Sequence, residues 1–323
     1  MDRETYEKRK KWVRDCVPSM KRRRVGHDYR SRCIYMITLV VEGRRPLLGH
    51  VSGDGEKEAA VMHPSTLGQA VLQQLNSIPL HYPTVRIMCH QLMPDHLHVI
   101  LFVQQEIPCH LSRVITGYKG GCNVVYRKLT GADRKATLWE EDFNDRILEE
   151  KGHLQRMMDY IDDNPRRLAI KRHHSDYFTV QHHVQAAGMT FAALGNVFLL
   201  QAPEILQVQC TRKLTEEDIK EQCRYFLSLA EKGAVLVSPG LSPGEKAVMQ
   251  AAQDAGCPII LLQENGFAPL AKPGGKYFDA CAEGRLLLLA PWEHHNTQET
   301  MTRDQCRALN DMAAAIAATS TSK

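Results

Sequence analysis

One stretch limits what this chain can fold into more than any other: Met93-Pro94-Asp95-His96-Leu97-His98-Val99-Ile100-Leu101-Phe102-Val103. Pro94-Asp95 is a turn signal, because proline pre-sets φ at the second turn position and aspartate tolerates the third. The β-branched and aromatic run after it alternates with period two. His96, His98, Ile100 and Phe102 therefore share one face of a strand, and Leu97, Val99, Leu101 and Val103 the other. Two imidazoles point the same way, about 7 Å apart along the strand. That spacing suits two ligands of one metal ion, since neutral imidazole is the commonest protein metal ligand. Two half-buried strand histidines are the plainer reading.

A second stretch bears on the first. Across residues 153–164, Leu154, Met157, Met158 and Ile161 recur at i, i+3, i+4 and i+7, which predicts an amphipathic helix. Tyr160 and Asn164 lie four apart, stacked on one flank. Pro165 stops the helix, because the residue before proline is pushed out of the α region. A phenol beside an amide, both able to face a two-histidine metal site, makes a complete set for breaking a phosphodiester. Taken singly, Tyr160 reads as a core-edge aromatic and Asn164 as the cap of a new helix.

These residues resemble a known family, the HUH single-tyrosine transposases of the 200/605 insertion-sequence group and the REP-associated tyrosine transposases. The resemblance rests on Met-Pro-Asp-His96-Leu97-His98, on Leu138-Trp139-Glu140-Glu141-Asp142-Phe143-Asn144-Asp145-Arg146-Ile147-Leu148, and on Tyr160-Ile161-Asp162-Asp163-Asn164-Pro165. It spans about Tyr35 to Lys171. It implies that His96, His98 and Asn164 hold a divalent metal and that Tyr160 is the nucleophile. Asp95 departs from the pattern, since family members often carry asparagine there, and as a turn residue it leaves the chemistry intact.

At 323 residues the chain is longer than one core usually spans, so two domains are expected. No two of its ten cysteines lie closer than thirteen positions, which leaves neither a Cys-x-x-Cys motif nor a dense disulfide framework. No run of about 18 apolar residues is present and the start lacks the apolar segment of a signal peptide, so a soluble, cytoplasmic protein without membrane contact is expected. The net charge of +4 is unevenly placed. Lys8-Arg9-Lys10-Lys11 and Lys21-Arg22-Arg23-Arg24 crowd the beginning, and Arg166, Arg167, Lys171 and Arg172 come after the tyrosine helix. Clustered cations suit a phosphate backbone, so the second cluster is read as DNA-binding, with Lys119 and Arg127 as further candidates. For the first, a solvated tail stays open.

Along the chain, residues 1–30 read as a basic arm and 31–175 as the transposase-like domain. Cys33 to Val41 predicts a strand. Ser65 caps a helix to about Leu75, and Val85 to His90 predicts a strand returned by the Pro94-Asp95 turn as an antiparallel hairpin. Leu111 to Lys128 is helical. Strand, helix, strand, strand, helix matches a ferredoxin-like α+β sandwich, the fold the resemblance also implies. Tyr118 and Tyr126 compete with Tyr160, but neither has an amide four residues on. Residues 176–190, polar and His-rich, read as a linker, and His173, His174, His182 and His183 as its surface residues.

Residues 191–323 alternate strands with helices, which predicts a smaller Rossmann-like α/β domain with a parallel sheet. One or two strands are expected within Val197 to Val208. Ser238-Pro239-Gly240-Leu241-Ser242-Pro243-Gly244 sits where strand meets helix, so Ser238, Gly240 and Gly244 form a candidate phosphate loop that Lys272, Gly274, Gly275 and Lys276 could line. The stretch resembles the DNA-processing protein A and lysine-decarboxylase-like families, without a complete Gly-x-Gly-x-x-Gly or Pro-Gly-Gly-x-Gly-Thr signature. A plain βα turn is the simpler reading.

Together these readings predict DNA cleavage and rejoining through a 5′-phosphotyrosine, and the resemblance implies that the DNA is single-stranded. Mg²⁺ or Mn²⁺ suits a site of nitrogen and amide-oxygen donors completed by water. The resemblance adds a homodimer and hairpin-containing DNA. Two rivals stand beside it: a relaxase-like nickase using the same chemistry, and a non-catalytic protein that binds DNA hairpins or senses a nucleotide.

Overall fold

The computed structural model describes residues 23–268, 270–297 and 300–320. The basic segment before Arg23 lies outside them. The chain is α+β and divides into two compact units, with the boundary between His173 and His174.

The first unit is built on a four-stranded antiparallel sheet. Its strands are β1 (Cys33–Val40), β4 (Val85–Met93), β5 (His96–Val103) and β6 (Asn144–Ile147), in the order β4-β5-β1-β6. A separate hairpin pairs β2 (Gly49–Ser52) with β3 (Val61–Pro64). The two-residue turn at Pro94 and Asp95 closes β4 onto β5, with Met93 opposite His96. Alternation sorts the two faces as expected. Leu97, Val99, Leu101 and Val103 enter a core with Ile37 and Leu39. That core is covered by α1 (Thr66–Asn76), through Leu67, Val71 and Leu75, and by α3 (Leu111–Thr130), through Val114 and Ile115. A short α2 (Ile78–His81) links α1 to β4. Ser65 caps α1, its hydroxyl accepting from the Gly68 N–H at 3.0 Å.

The opposite face receives a different helix. Leu154, Met157, Met158 and Ile161 of α4 (His153–Asp162) pack on Met36, Ile100 and Leu148. Fully burying Ile161 contributes roughly 1.5–3 kcal/mol of transfer free energy, so the stripe read from the sequence docks α4 beside the two histidines. The helix breaks where proline requires it. A new helix, α5 (Asn164–His173), starts at once with Pro165 in its first turn.

Among the described residues the second unit carries six strands, in the order β7 (Gln181–Ala186), β8 (Met189–Gly195), β12 (Leu286–Ala290), β11 (Ile259–Leu262), β10 (Val235–Ser238), β9 (Ile205–Gln207). β9, β10, β11 and β12 run parallel. They are joined by α6 (Glu216–Ala230), α7 (Pro243–Asp254) and α8 (Lys276–Ala282), and α9 (Arg303–Ser320) comes after β12. Their near-continuous apolar runs suit strands covered on both faces, and Leu309, Ala313 and Ile316 of α9 close one of them.

The structure corrects one expectation. The stretch 176–190 is not a linker: it holds β7 (Gln181–Ala186) and the start of β8 (Met189–Gly195), an antiparallel hairpin that extends the parallel sheet through β12. Its strand at the edge keeps one face in water, which is why its sequence is polar. Within Val197 to Val208, a 3-10 helix over Val197–Gln201 precedes the short β9, so one strand forms there, within the one or two expected. Among the described residues no helix is long and apolar enough to cross a membrane.

Candidate functional site

The site begins with the register of the sheet. His98 on β5 lies opposite Thr38 on β1, and Thr38 lies opposite Asn144 on β6. On the same face, Ile100, Met36 and Arg146 form the neighbouring row. Thr38 Oγ1 meets His98 Nδ1 at 2.8 Å. At the hairpin turn, Asp95 Oδ1 meets His96 Nδ1 at 2.6 Å. Both rings are thus held by one nitrogen, and each keeps Nε2 for a ligand. Their centroids are 4.8 Å apart, edge to face. Burial, reinforced by His96, pushes the His98 pKa down to about 3, so its imidazole is neutral and its lone pair available at neutral pH.

The phenol is on the same side. Its helix, α4, packs on the histidine face, and the Tyr160 ring lies 6.0 Å from the His98 ring, centroid to centroid. Tyr160 is 40 % exposed. Arg167 stands 5.9 Å from the centre of the same ring, and Asp163 steadies its guanidinium at 3.3 Å. A cation thus sits beside the phenol. A cleft of about 540 Å³ opens along this face, lined by His98, Thr38, Met36, Asn144, Arg146, Met157 and Tyr160, with Asp145.

Asn164 is near, but its amide is partly used. Its Nδ2 donates to the carbonyls of Tyr160 at 2.9 Å and Ile161 at 3.3 Å, ending α4 and leaving Oδ1 as an acceptor. Among the described residues no group of three His, Cys, Asp or Glu side chains stands ready for a metal. A divalent ion here would rest on two imidazoles, with an amide oxygen, water or phosphate completing it. The donors fit such an ion: two nitrogens, each on a ring oriented by a hydrogen bond on its far side.

The other sequence candidates divide by geometry. Arg166 and Arg167 share the Asp163 carboxylate, with Arg166 Nε at 2.6 Å, so the cluster after the tyrosine keeps a net positive charge. Arg172 donates to the Val51 carbonyl at 3.4 Å, and Lys171 lies in the last turn of the same helix. Lys119 and Arg127 are committed elsewhere. Lys119 Nζ donates at 2.6 Å to the carbonyls of Glu140 and Glu141, with its pKa lowered by burial, and Arg127 donates to the Arg134 carbonyl. Both cations tie backbone loops and are poorly placed for phosphate.

Tyr118 is a core residue, with its hydroxyl on the Val71 carbonyl, and Tyr126 accepts from Arg45. Arg23 is buried as well, paired with Asp145 and lying 3.6 Å over the Phe143 ring. It fastens β6 rather than binding a partner.

In the second unit, the Ser238 to Gly244 loop does occupy the strand-to-helix corner, but it satisfies its own donors. Gly240 N–H bonds Ser238 Oγ at 3.1 Å. Leu241 and Ser242 N–H bond Glu245 Oε2 at 2.6 and 3.2 Å, and Cys210 N–H bonds Glu245 Oε1 at 3.1 Å. A buried carboxylate of the chain itself sits where a phosphate would go. That arrangement favours the plain βα turn.

Sequence reasoning missed two residues. Arg146 sits on a strand of four residues, too short and polar to show a period. Asp95 was read as a turn residue, although its position next to His96 was the available signal.

No protein-family model matches the chain. It is 28 % identical over 157 residues to an uncharacterized protein of Haemophilus influenzae Rd, covering 43 % of this chain and 83 % of that one. Similar solved structures include a REP-associated tyrosine transposase bound to a REP hairpin, at 17 % identity and TM-score 0.33, over 44 % of this chain and 72 % of that one. DNA processing protein A of Helicobacter pylori, described with its single-stranded DNA binding mode, is 18 % identical at TM-score 0.33, over 43 % of this chain and 66 % of that one. DNA processing protein A of Streptococcus pneumoniae is 14 % identical at TM-score 0.32, over 79 % of this chain and 76 % of that one.

Proposed function

We propose that the first unit is a metal-dependent endonuclease and transposase acting on single-stranded DNA, with Tyr160 as nucleophile. The observation that carries the reading is the meeting of the Tyr160 phenol with an oriented histidine pair in an open cleft. A bound Mg²⁺ or Mn²⁺ would polarise the scissile phosphate and offset its developing charge. His96 and His98 would hold that ion through Nε2, with Asn164 Oδ1 as the candidate third donor.

Tyr160 Oη attacks phosphorus and loses its proton to solvent. The P–O3′ bond breaks, the departing oxygen takes up a proton as a free 3′-OH, and a 5′-phosphotyrosine remains. Arg167 stabilises negative charge beside the phenol. Because the phosphodiester energy is kept in the phosphotyrosine link, a 3′-OH attacking that phosphorus rejoins strands without ATP. Two ends must be cut to excise an element, and one nucleophile per chain makes a homodimer the economical arrangement. Hairpin-containing DNA is the proposed partner, and Arg166, Lys171 and Arg172 extend the basic surface toward it.

The test is incubation of the full chain with single-stranded hairpin oligonucleotides and Mn²⁺, followed by denaturing electrophoresis. Wild type forms a denaturation-resistant protein–DNA adduct. Tyr160→Phe forms none while retaining DNA binding. Wild type without an adduct on any such oligonucleotide refutes the proposal and leaves the non-catalytic binder.

A further inference from the structure

We infer that the cleft running from His98 to β6 is a base-reading subsite, which seats the nucleotide flanking the scissile phosphate and reads guanine through Arg146. The inference rests on the nucleic-acid reading of the site and adds to it a specificity determinant.

The register gives the distance. His98 and the β6 row stand two strand spacings apart, about 10 Å, so the two ends of the cleft serve different groups of a substrate. The Arg146 guanidinium lies 3.6 Å from the Met157 sulfur, one helical turn before Tyr160 and so displaced from the phenol. Met36 and Met157 line this end with thioethers, which make favourable contacts with an aromatic ring and offer a phosphate nothing.

Arg146 is paired with no carboxylate among the described residues. Its neighbour Asp145 is already engaged by Arg23 and by the Tyr29 hydroxyl at 2.8 Å, so it does not cancel the charge facing the cleft. An arginine beside two thioethers in this cleft is a donor-only fork. Guanine matches it, with O6 and N7 accepting side by side, whereas adenine and cytosine present an amino donor where the fork needs an acceptor.

The experiment selects hairpin oligonucleotides with randomised flanking positions on the full chain, followed by sequencing, for wild type, Arg146→Ala and Arg146→Lys. Wild type enriches guanine at one flanking position. Arg146→Ala loses that preference by about 5- to 150-fold, and Arg146→Lys, which keeps the charge without the fork, loses most of it. Replacing that guanine with 7-deazaguanine weakens wild-type binding and leaves Arg146→Ala unchanged. Because Arg146 is exposed, both variants keep the wild-type melting temperature. No enriched guanine in wild type, or enrichment that survives in Arg146→Ala, overturns the inference. The selection reads binding alone, so it stands or falls separately from adduct formation at Tyr160.

Discussion

Asp95 offers the sharpest quantitative test of the site. Its carboxylate holds His96 Nδ1 at 2.6 Å, and its other oxygen lies 3.4 Å from Arg44 Nη1. A carboxylate behind a ligand imidazole does two things: it fixes the tautomer so that Nε2 faces the ion, and its charge makes that nitrogen a better donor. Losing such a partner costs about 10–100-fold in metal affinity. Asp95→Asn keeps an acceptor and loses only the charge, so its Mn²⁺ affinity should fall by about 10-fold, or about 1.4 kcal/mol. Asp95→Ala loses both effects and should fall by about 100-fold, or about 2.7 kcal/mol. The turn should survive, because Asp95 supports it through its backbone carbonyl, which accepts from Val41 at 2.8 Å in the wild-type fold and is kept in either variant. Calorimetric titration of the full chain with Mn²⁺ measures the affinities, and ¹⁵N chemical shifts of the His96 ring report the tautomer. Equal Mn²⁺ affinity in all three proteins, or an unchanged ring tautomer in Asp95→Ala, would refute the reasoning.

Other consequences are open to measurement. Arg23→Met strands the buried Asp145 carboxylate and should cost about 3–5 kcal/mol in urea unfolding, while adding Asp145→Leu should recover part of the loss. Burial, with help from Asp145, pushes the Tyr29 pKa up to about 12 against an ordinary value of 10. The folded chain thus holds a proton that the unfolded chain releases, so this stability is full below pH 10 and is lost as pH rises toward 12. Tyr29→Phe should remove that part of the alkaline loss, up to about 3 kcal/mol, in melts across this range. Glu245→Ala leaves three backbone donors without their acceptor and should destabilise the second unit by at least about 3 kcal/mol.

Much of the site's frame could be read from sequence because its determinants are local. The parity of His96 and His98, the Pro94-Asp95 turn, the Ser65 cap and the apolar stripe of α4 each depend on residues a few positions apart, and strand and helix periods report them directly. What escaped depends on partners far along the chain. Lys119 and Arg127 look like any exposed cation until the carbonyls they bind are brought beside them. Arg23 reads as one more residue of a basic run until Asp145, 122 positions away, is folded against it. The β7 hairpin hid for another reason, since a strand at a sheet's margin carries polar side chains and so copies the composition of a loop.

The histidine strand leaves the tight turn at once, with His96 its first residue. Which residues face the candidate site is therefore set by whether their count from that turn is odd or even. Loss or gain of a single codon between Asp95 and His98 would turn Leu97 or Val99 outward and send an imidazole into the oily interior, disrupting the core and the histidine pair together. A lineage carrying this strand can exchange its side chains one at a time, yet it has no neutral path through a change in length.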